Sequence, residues 1–212
     1  MPHAQEAPAI LIAEPRHADR VFGVLMRAFA ADPPNRWMYP DDATFRRHFP
    51  TFARALGGGA IAAGTAFVAP DFSGAALWLA PGAGPDEAAI MTLIEETVVP
   101  EKQETLAAVI EAMGRTHPEE PHWYLSFVGV DPARQGRGVG TALLGPILAR
   151  CDTAGLPAYL ESTNARNRPL YERLGFRVMG EIVAGDCPPV IPMLRRPVAV
   201  DPRNDQSLEG RS

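Results

Sequence analysis

The sequence predicts an α/β (α+β) domain of mixed strand order. Short apolar runs that suit buried strands alternate with segments whose apolar residues recur every three or four positions. Gly and Pro punctuate most of the junctions. In the second half a buried strand, a glycine-rich loop, an amphipathic helix and another buried strand follow one another, as in a strand–helix–strand unit. The expectation is one domain over residues 1–197, followed by a polar, turn-rich and disordered tail at 198–212.

The elements follow in order. Ala9 to Ala13 reads as a short strand, and Val21, Val24, Leu25, Ala28 and Phe29 mark the apolar face of a helix. Asp32-Pro33-Pro34-Asn35 is a turn signal, which leaves Trp37 and Tyr39 in a loop. Asp41 or Asp42 can cap a second helix whose face is Phe45, Phe49, Phe52 and Leu56. Pro50 should kink or split it. Strands are expected at Thr65 to Ala69 and Ala75 to Leu79, joined by a hairpin loop at Asp71 to Gly74. Two helices, separated by Pro100, carry Ile90, Leu93 and Ile94, then Leu106, Val109, Ile110 and Met113. Trp123 to Val130 and Ala158 to Ser162 read as buried strands on either side of a helix from Gly138 to Ala154. Gly155 suits that helix's left-handed C-terminal cap, and Pro146 should bend it. A short helix from Asn167 to Leu174 and strands at 176–183 and 190–195 complete the domain.

Composition narrows the partners. The chain of 212 residues, 46% hydrophobic and 21% charged, is ordinary for a globular protein and can bury a core without disulfides or metals. A formal net charge of -5 argues against general nucleic-acid binding. The two cysteines, Cys151 and Cys187, make no disulfide framework and suit a reducing compartment. No stretch approaches the roughly 20 apolar residues of a membrane helix. Met1 to Pro8 lacks the basic start and apolar run of a signal peptide. The expectation is a cytoplasmic monomer or homodimer with no nucleic-acid, membrane or metal partner.

The informative segment runs from Val128 to Thr141. A buried strand enters a loop with glycines at Gly136, Gly138 and Gly140, and the loop opens into a helix. Glycine tolerates positive φ and lets a ligand approach the main chain. Free N–H groups at a helix start form a pocket for anionic oxygens, and Arg134 and Arg137 add positive charge. A diphosphate suits such a loop; a tight turn that needs glycine for packing is the plainer alternative. The spacing G-x-G-x-G matches neither a P-loop nor the dinucleotide fingerprint, although Glu161 lies near the distance the latter requires.

Gln135-Gly136-Arg137-Gly138-Val139-Gly140, after Val128-Gly129-Val130, resembles the acetyl-CoA diphosphate signature of the GCN5-related N-acetyltransferase (GNAT) superfamily. Asn164, Tyr171, Gly175 and Phe176 resemble a second motif of that family. His122-Trp123-Tyr124-Leu125 and Ala76-Leu77-Trp78-Leu79 look like a small-molecule subgroup that includes puromycin N-acetyltransferase. The resemblance implies a mixed central sheet, flanked by helices, in which two neighbouring parallel strands, Trp123–Val130 and Ala158–Ser162, splay apart. It implies that main-chain groups near Val128 and Val130 pair with the pantetheine arm of acetyl-CoA. It also implies that N–H groups of Gln135, Gly136, Arg137, Gly138, Val139, Gly140 and Thr141 hold the diphosphate. Asn164 matches a cofactor-contacting position, and Asn167 stands where the family often has alanine.

The implied chemistry is attack of an amine on a thioester. Tyr171 matches the position of a phenol that protonates the leaving sulfur, although a tyrosine packed on the sheet is the alternative. The strand before the loop carries no carboxylate, whereas the family often places a glutamate there. Glu161 on the neighbouring strand is the nearest candidate base or amine-binding group, with an ion pair to a loop arginine as its structural alternative. His122 offers a proton relay. Arg36, Trp37, Tyr39 and Trp78 are candidates to shape the acceptor site, or are ordinary packing and surface. The expected reaction moves acetyl from acetyl-CoA to a primary amine of a small molecule. A peptide or protein amine as acceptor, or a non-catalytic acyl-CoA sensor, is the alternative.

Overall fold

The computed structural model describes residues 9–198. The expectations for Met1 to Pro8 and for disorder at 199–212 lie outside the described residues. One mixed sheet of seven strands runs in the order β1-β2-β3-β4-β5-β7-β6. The strands are β1 (Leu11–Ile12), β2 (Ala66–Val68), β3 (Gly74–Leu79), β4 (Trp123–Val130), β5 (Ala158–Ser162), β6 (Arg177–Val178) and β7 (Ile191–Arg195). The helices are α1 (Ala18–Ala28), α2 (Pro33–Met38), α3 (Asp42–Gly57), α4 (Gly59–Ala62), α5 (Glu87–Thr97), α6 (Pro100–Thr116), α7 (Val139–Ala154) and α8 (Arg168–Arg173). No described helix is long and apolar enough to cross a membrane.

Side-chain alternation along β3 divides the core in two. Ala75, Leu77 and Leu79 join the cluster built with α1, α3, α5 and α6. Ala76 and Trp78 point the other way and pack with Leu143, Leu144 and Ile147 of α7. Four of the apolar residues read as the face of α1 are buried or packed against the first cluster, as are Phe45 and Phe49 of α3.

β4 and β5 form the sheet's parallel pair. They pair only at Trp123↔Ala158 and Tyr124↔Tyr159, although β4 continues to Val130 and β5 to Ser162. Beyond Tyr124 the neighbours therefore part, as expected from the resemblance. The crossover between them is α7, which Gly155 closes in the left-handed conformation, its N–H bonded to the Cys151 carbonyl. Arg195 of β7 clamps this helix: its guanidinium gives Asp152 two hydrogen bonds of 2.8 Å and the Leu174 carbonyl one of 2.9 Å.

Some local expectations need correction. Asp32-Pro33-Pro34-Asn35 does not turn the chain in a loop. It starts α2, with Asp32 as N-cap and both prolines in the first turn, where no N–H is needed. Trp37 is thus helical. Pro50 does not split its helix: α3 continues through it, because its buried face outweighs one missing donor. The strand expected at 176–183 shrinks to β6 and an isolated bridge, Ile182↔Val190.

Candidate active site

The loop between β4 and α7 is built to leave its main-chain donors free. Asp131 ends β4, accepts from the Ala133 N–H and pairs with Arg27 of α1 at 2.8 Å, which holds its carboxyl below the usual range. The Asp131 N–H bonds Ser73 O, which ties the loop to the β2–β3 hairpin. Gly136 and Gly138 then adopt φ of 74° and 78°, and Gly138 is the N-cap of α7 with no side chain to satisfy the helix start. No main-chain N–H from Gln135 to Thr141 donates to any protein group among the described residues. A Cβ at Gly136 or Gly138 would meet nothing within 4 Å, whereas one at Gly140 would press Leu170 Cδ2 at 3.2 Å. Gly136 and Gly138 thus open the cradle, and Gly140 seats α7 against α8. Arg137 makes no ion pair among the described residues, and Arg134 lies 3.9 Å from Asp71. A diphosphate fits this set: open N–H groups at a helix start with positive charge beside them.

Beside the cradle a cavity of about 630 Å³ passes through the gap between β4 and β5. Val128 and Leu160 line it at the strands, and Thr163, Asn167 and Tyr171 beyond them. On the far side α5 and α6 roof it with Ile90, Ile94, Leu106 and Ile110, and Trp37 of α2 adds an aromatic wall. Among the described residues, the carboxylates that line it are Glu87 and Glu161, and no Lys or Arg does. Val130 stands at the end of β4, and its carbonyl accepts from the Gln135 side chain at 3.1 Å. The Asn164 side-chain oxygen accepts from the Arg166 N–H, so that residue shapes the turn after β5.

Tyr171 is buried in α8, its ring edge-on to Phe176 at 6.1 Å. Burial pushes its phenol well up, and the nearby charge of Asp32 adds to the effect. The phenol therefore stays protonated at neutral pH, as a proton donor requires. Asp32 is itself buried at the N-cap of α2, where Asn35 N, Asn35 Nδ2 and the Thr163 hydroxyl hydrogen-bond it. Burial raises its carboxyl, and the Thr163 and Asn35 bonds oppose the rise. Sequence reasoning missed Asp32 because it read the segment as a turn.

Glu161 has a nearly buried side chain, and its ion-pair partner is no loop arginine: His117 Nδ1 lies 3.7 Å from Glu161 Oε1. The His117 ring packs edge-on against Tyr124 and Tyr159, and its Nε2 lies 2.9 Å from His122 Nε2. Burial raises the phenols of Tyr124 and Tyr159, and the charge of Glu161 raises them further. Both keep their protons and favour a charged neighbour. His117 was not anticipated. Its signal was its place beside Pro118, five residues before His122, at the end of α6.

Three of the four acceptor-site candidates lie off the cavity. Tyr39 is buried with its hydroxyl 2.6 Å from Thr97 Oγ1, so it joins α2 to α5 and does not line the cavity. Trp78 is fully buried against α7, on the sheet face away from the acceptor side. Alternation along β3 dictates this, since Leu77 and Leu79 face the other way. Arg36 pairs with Asp42 at 2.8 Å and also lies off the cavity. Trp37 alone of the four lines it.

The acetyltransferase (GNAT) family model matches residues 78–176. An uncharacterized N-acetyltransferase of Schizosaccharomyces pombe is 33% identical over 123 residues, 50% of this chain and 48% of the relative. The mycothiol acetyltransferase of Beutenbergia cavernae is 38% identical over 72 residues, 32% of this chain and 24% of the relative. The chain spans about half or less of the length of these curated relatives. Among solved structures, a Corynebacterium glutamicum protein described as histone acetyltransferase HPA2 and related acetyltransferase is similar with a TM-score of 0.65 and 29% identity. That match covers 92% of this chain and 98% of that one. A mosquito arylalkylamine N-acetyltransferase (like 5b) shares the fold at a TM-score of 0.59 and 16% identity, over 90% of this chain and all of that one. The likeness to the acetyltransferase (GNAT) family thus lies in residues 78–176.

Proposed function

We propose that this protein transfers the acetyl group of acetyl-CoA to a primary amine of a small molecule by direct attack in a ternary complex. The observation that carries the reading is the run of free N–H groups from Gln135 to Thr141, opening beside a cavity that passes between diverging strands. Those N–H groups and Arg137 would hold the diphosphate, and the exposed edges of β4 near Val128 and Val130 would pair with the pantetheine arm. Acetyl-CoA supplies the thioester when bound. Tyr171 donates to the departing sulfur, and Glu161 takes the proton of the attacking amine. Alignment of both reactants in one cleft supplies much of the rate.

The lining supports an acceptor with an apolar or aromatic body and no carboxylate of its own. The walls are apolar, and the two carboxylates on the cavity surface attract an ammonium and repel an acid. The roof of α5 and α6 favours a small molecule over a folded protein surface. This reading groups the chain with the small-molecule acetyltransferases that include puromycin N-acetyltransferase, in the cytoplasm. The test is release of CoA thiol from acetyl-CoA across a panel of amines and amino acids, with mass spectrometry of the products. Monoamines with aromatic or alkyl bodies should gain 42 mass units per acetyl. Binding of CoA without release for every amine would replace the enzyme by a sensor.

A further inference from the structure

Deprotonating an ammonium inside an apolar cleft leaves a proton that must reach water. Glu161 is almost enclosed: its side chain is 4% exposed, whereas that of His117 is 36% exposed. A carboxylate in that position can accept a proton and then has no direct outlet. We infer that His117 and His122 form a relay that carries the acceptor's proton from Glu161 to the surface at Glu120. The inference rests on the proposed acetyl transfer.

The hydrogen bonds give the relay a direction. His122 Nδ1 lies 2.7 Å from the Glu120 carbonyl oxygen, which accepts only, so Nδ1 carries the proton. In neutral His122 the other nitrogen, Nε2, is then an acceptor. It faces His117 Nε2 at 2.9 Å, so His117 donates there. His117 is left with Nδ1 toward Glu161 Oε1 at 3.7 Å. That spacing is longer than a hydrogen bond, and catalytic contacts of this kind commonly tighten in the reacting complex.

Each transfer conserves protons. The ammonium N–H breaks as a Glu161 O–H forms. The Glu161 proton passes to His117 Nδ1, and the His117 Nε2 proton passes to His122 Nε2. His122 releases its Nδ1 proton to water at the surface, and exchange with water restores the starting tautomers. One proton enters and one leaves, and no other bond changes.

The groups around the pair suit this role. His117 is faced by Glu161 of β5, by the phenols of Tyr124 and Tyr159 and by His122. His122 is faced by His117, Tyr159, Glu161 and Glu120, and Glu120 pairs with Arg196. Burial lowers His122, against the pull of the Glu120 carbonyl bond. A transferred proton therefore leaves it readily at neutral pH.

The test uses the full chain with acetyl-CoA and 2-phenylethylamine, with 2-phenylethylamine replaced by a panel amine if it is inert. His117→Ala and His122→Ala should each lower kcat by about a hundredfold at neutral pH, the low end for proton-transfer groups. KM for acetyl-CoA and the melting temperature should stay unchanged. The kcat–pH profile should change shape, and free imidazole should restore much of the rate of His117→Ala. Wild-type kcat, pH profile and imidazole insensitivity in both variants would overturn the relay while leaving the acetyltransferase reading intact. A wild-type chain that releases no thiol with any panel amine would overturn the acetyltransferase reading, and the relay with it.

Discussion

Tyr124 and Tyr159 are the last residues at which β4 and β5 lie side by side. Past this pair the strands diverge and the cavity fills the gap, with Tyr171 on its wall. The same pair cradles the His117 ring, whose centroid lies 5.1 Å from that of Tyr124 and 4.8 Å from that of Tyr159. The divergence thus creates the cleft and brings the Glu161 cluster to its floor.

Tyr171→Phe should lower kcat by about a hundredfold, the low end for a general acid. The CoA dissociation constant should change less than about twofold, because the ring still packs on Phe176. Stopped-flow thiol release and calorimetric CoA titration check the two halves. A variant with wild-type kcat would return Tyr171 to a packing role.

Gly138→Val should weaken CoA binding by about tenfold or more. The space around a Cβ is open, but φ of 78° disfavours a β-branched residue by about 1–3 kcal/mol. The loop relaxes and its N–H groups lose their common aim. Circular dichroism should report an unchanged fold, since this residue packs against nothing in the core.

Trp78→Phe should leave the acceptor KM unchanged and cost less than about 2 kcal/mol in stability. It shortens a fully buried ring whose Nε1 has no hydrogen-bond partner among the described residues, so no buried pair is broken. Trp37→Ala should raise the acceptor KM severalfold, because this indole forms part of the cavity wall. Steady-state kinetics with a monoamine acceptor separates the two tryptophans.

Arg195→Met should destabilise the fold by about 1–3 kcal/mol at neutral pH. It strands Asp152, whose side chain is 22% exposed, and leaves the Leu174 carbonyl without its donor. Hydrogen bonds from Arg195 hold the Asp152 carboxyl below its ordinary range. A carboxyl lowered in the folded state stabilises above its unfolded value, near pH 4, and loses that contribution as pH falls through the folded value. Urea midpoints of wild type and variant should therefore converge below about pH 4.

The sequence was most legible where main-chain geometry decides the outcome. The alternating glycines, the strand before them and the helix after them announce an open turn, and Gly155 announces the end of α7. The divergence of β4 and β5 came from the family resemblance, because pairing registers leave no local trace. Trp78 was misread for a related reason. An aromatic residue in an apolar run states that it is buried, but not which face of the sheet it occupies. Asp32 and His117 were hidden by their neighbours. Two prolines resemble a turn until the Asp32 cap shows them to be the first turn of a helix. His117 acquires meaning only when the parallel register sets Tyr159, and hence Glu161, beside it.

On the proposed function, free N–H groups of Gln135–Thr141 grip the diphosphate of CoA. The direct measurement is a two-dimensional amide NMR spectrum of the ¹⁵N-labelled protein, titrated with CoA. The amide resonances of Gln135 to Thr141 should shift farthest, downfield and saturably, with smaller changes at Val128 and Val130. Saturable binding that left these amides in place while another segment shifted would contradict it.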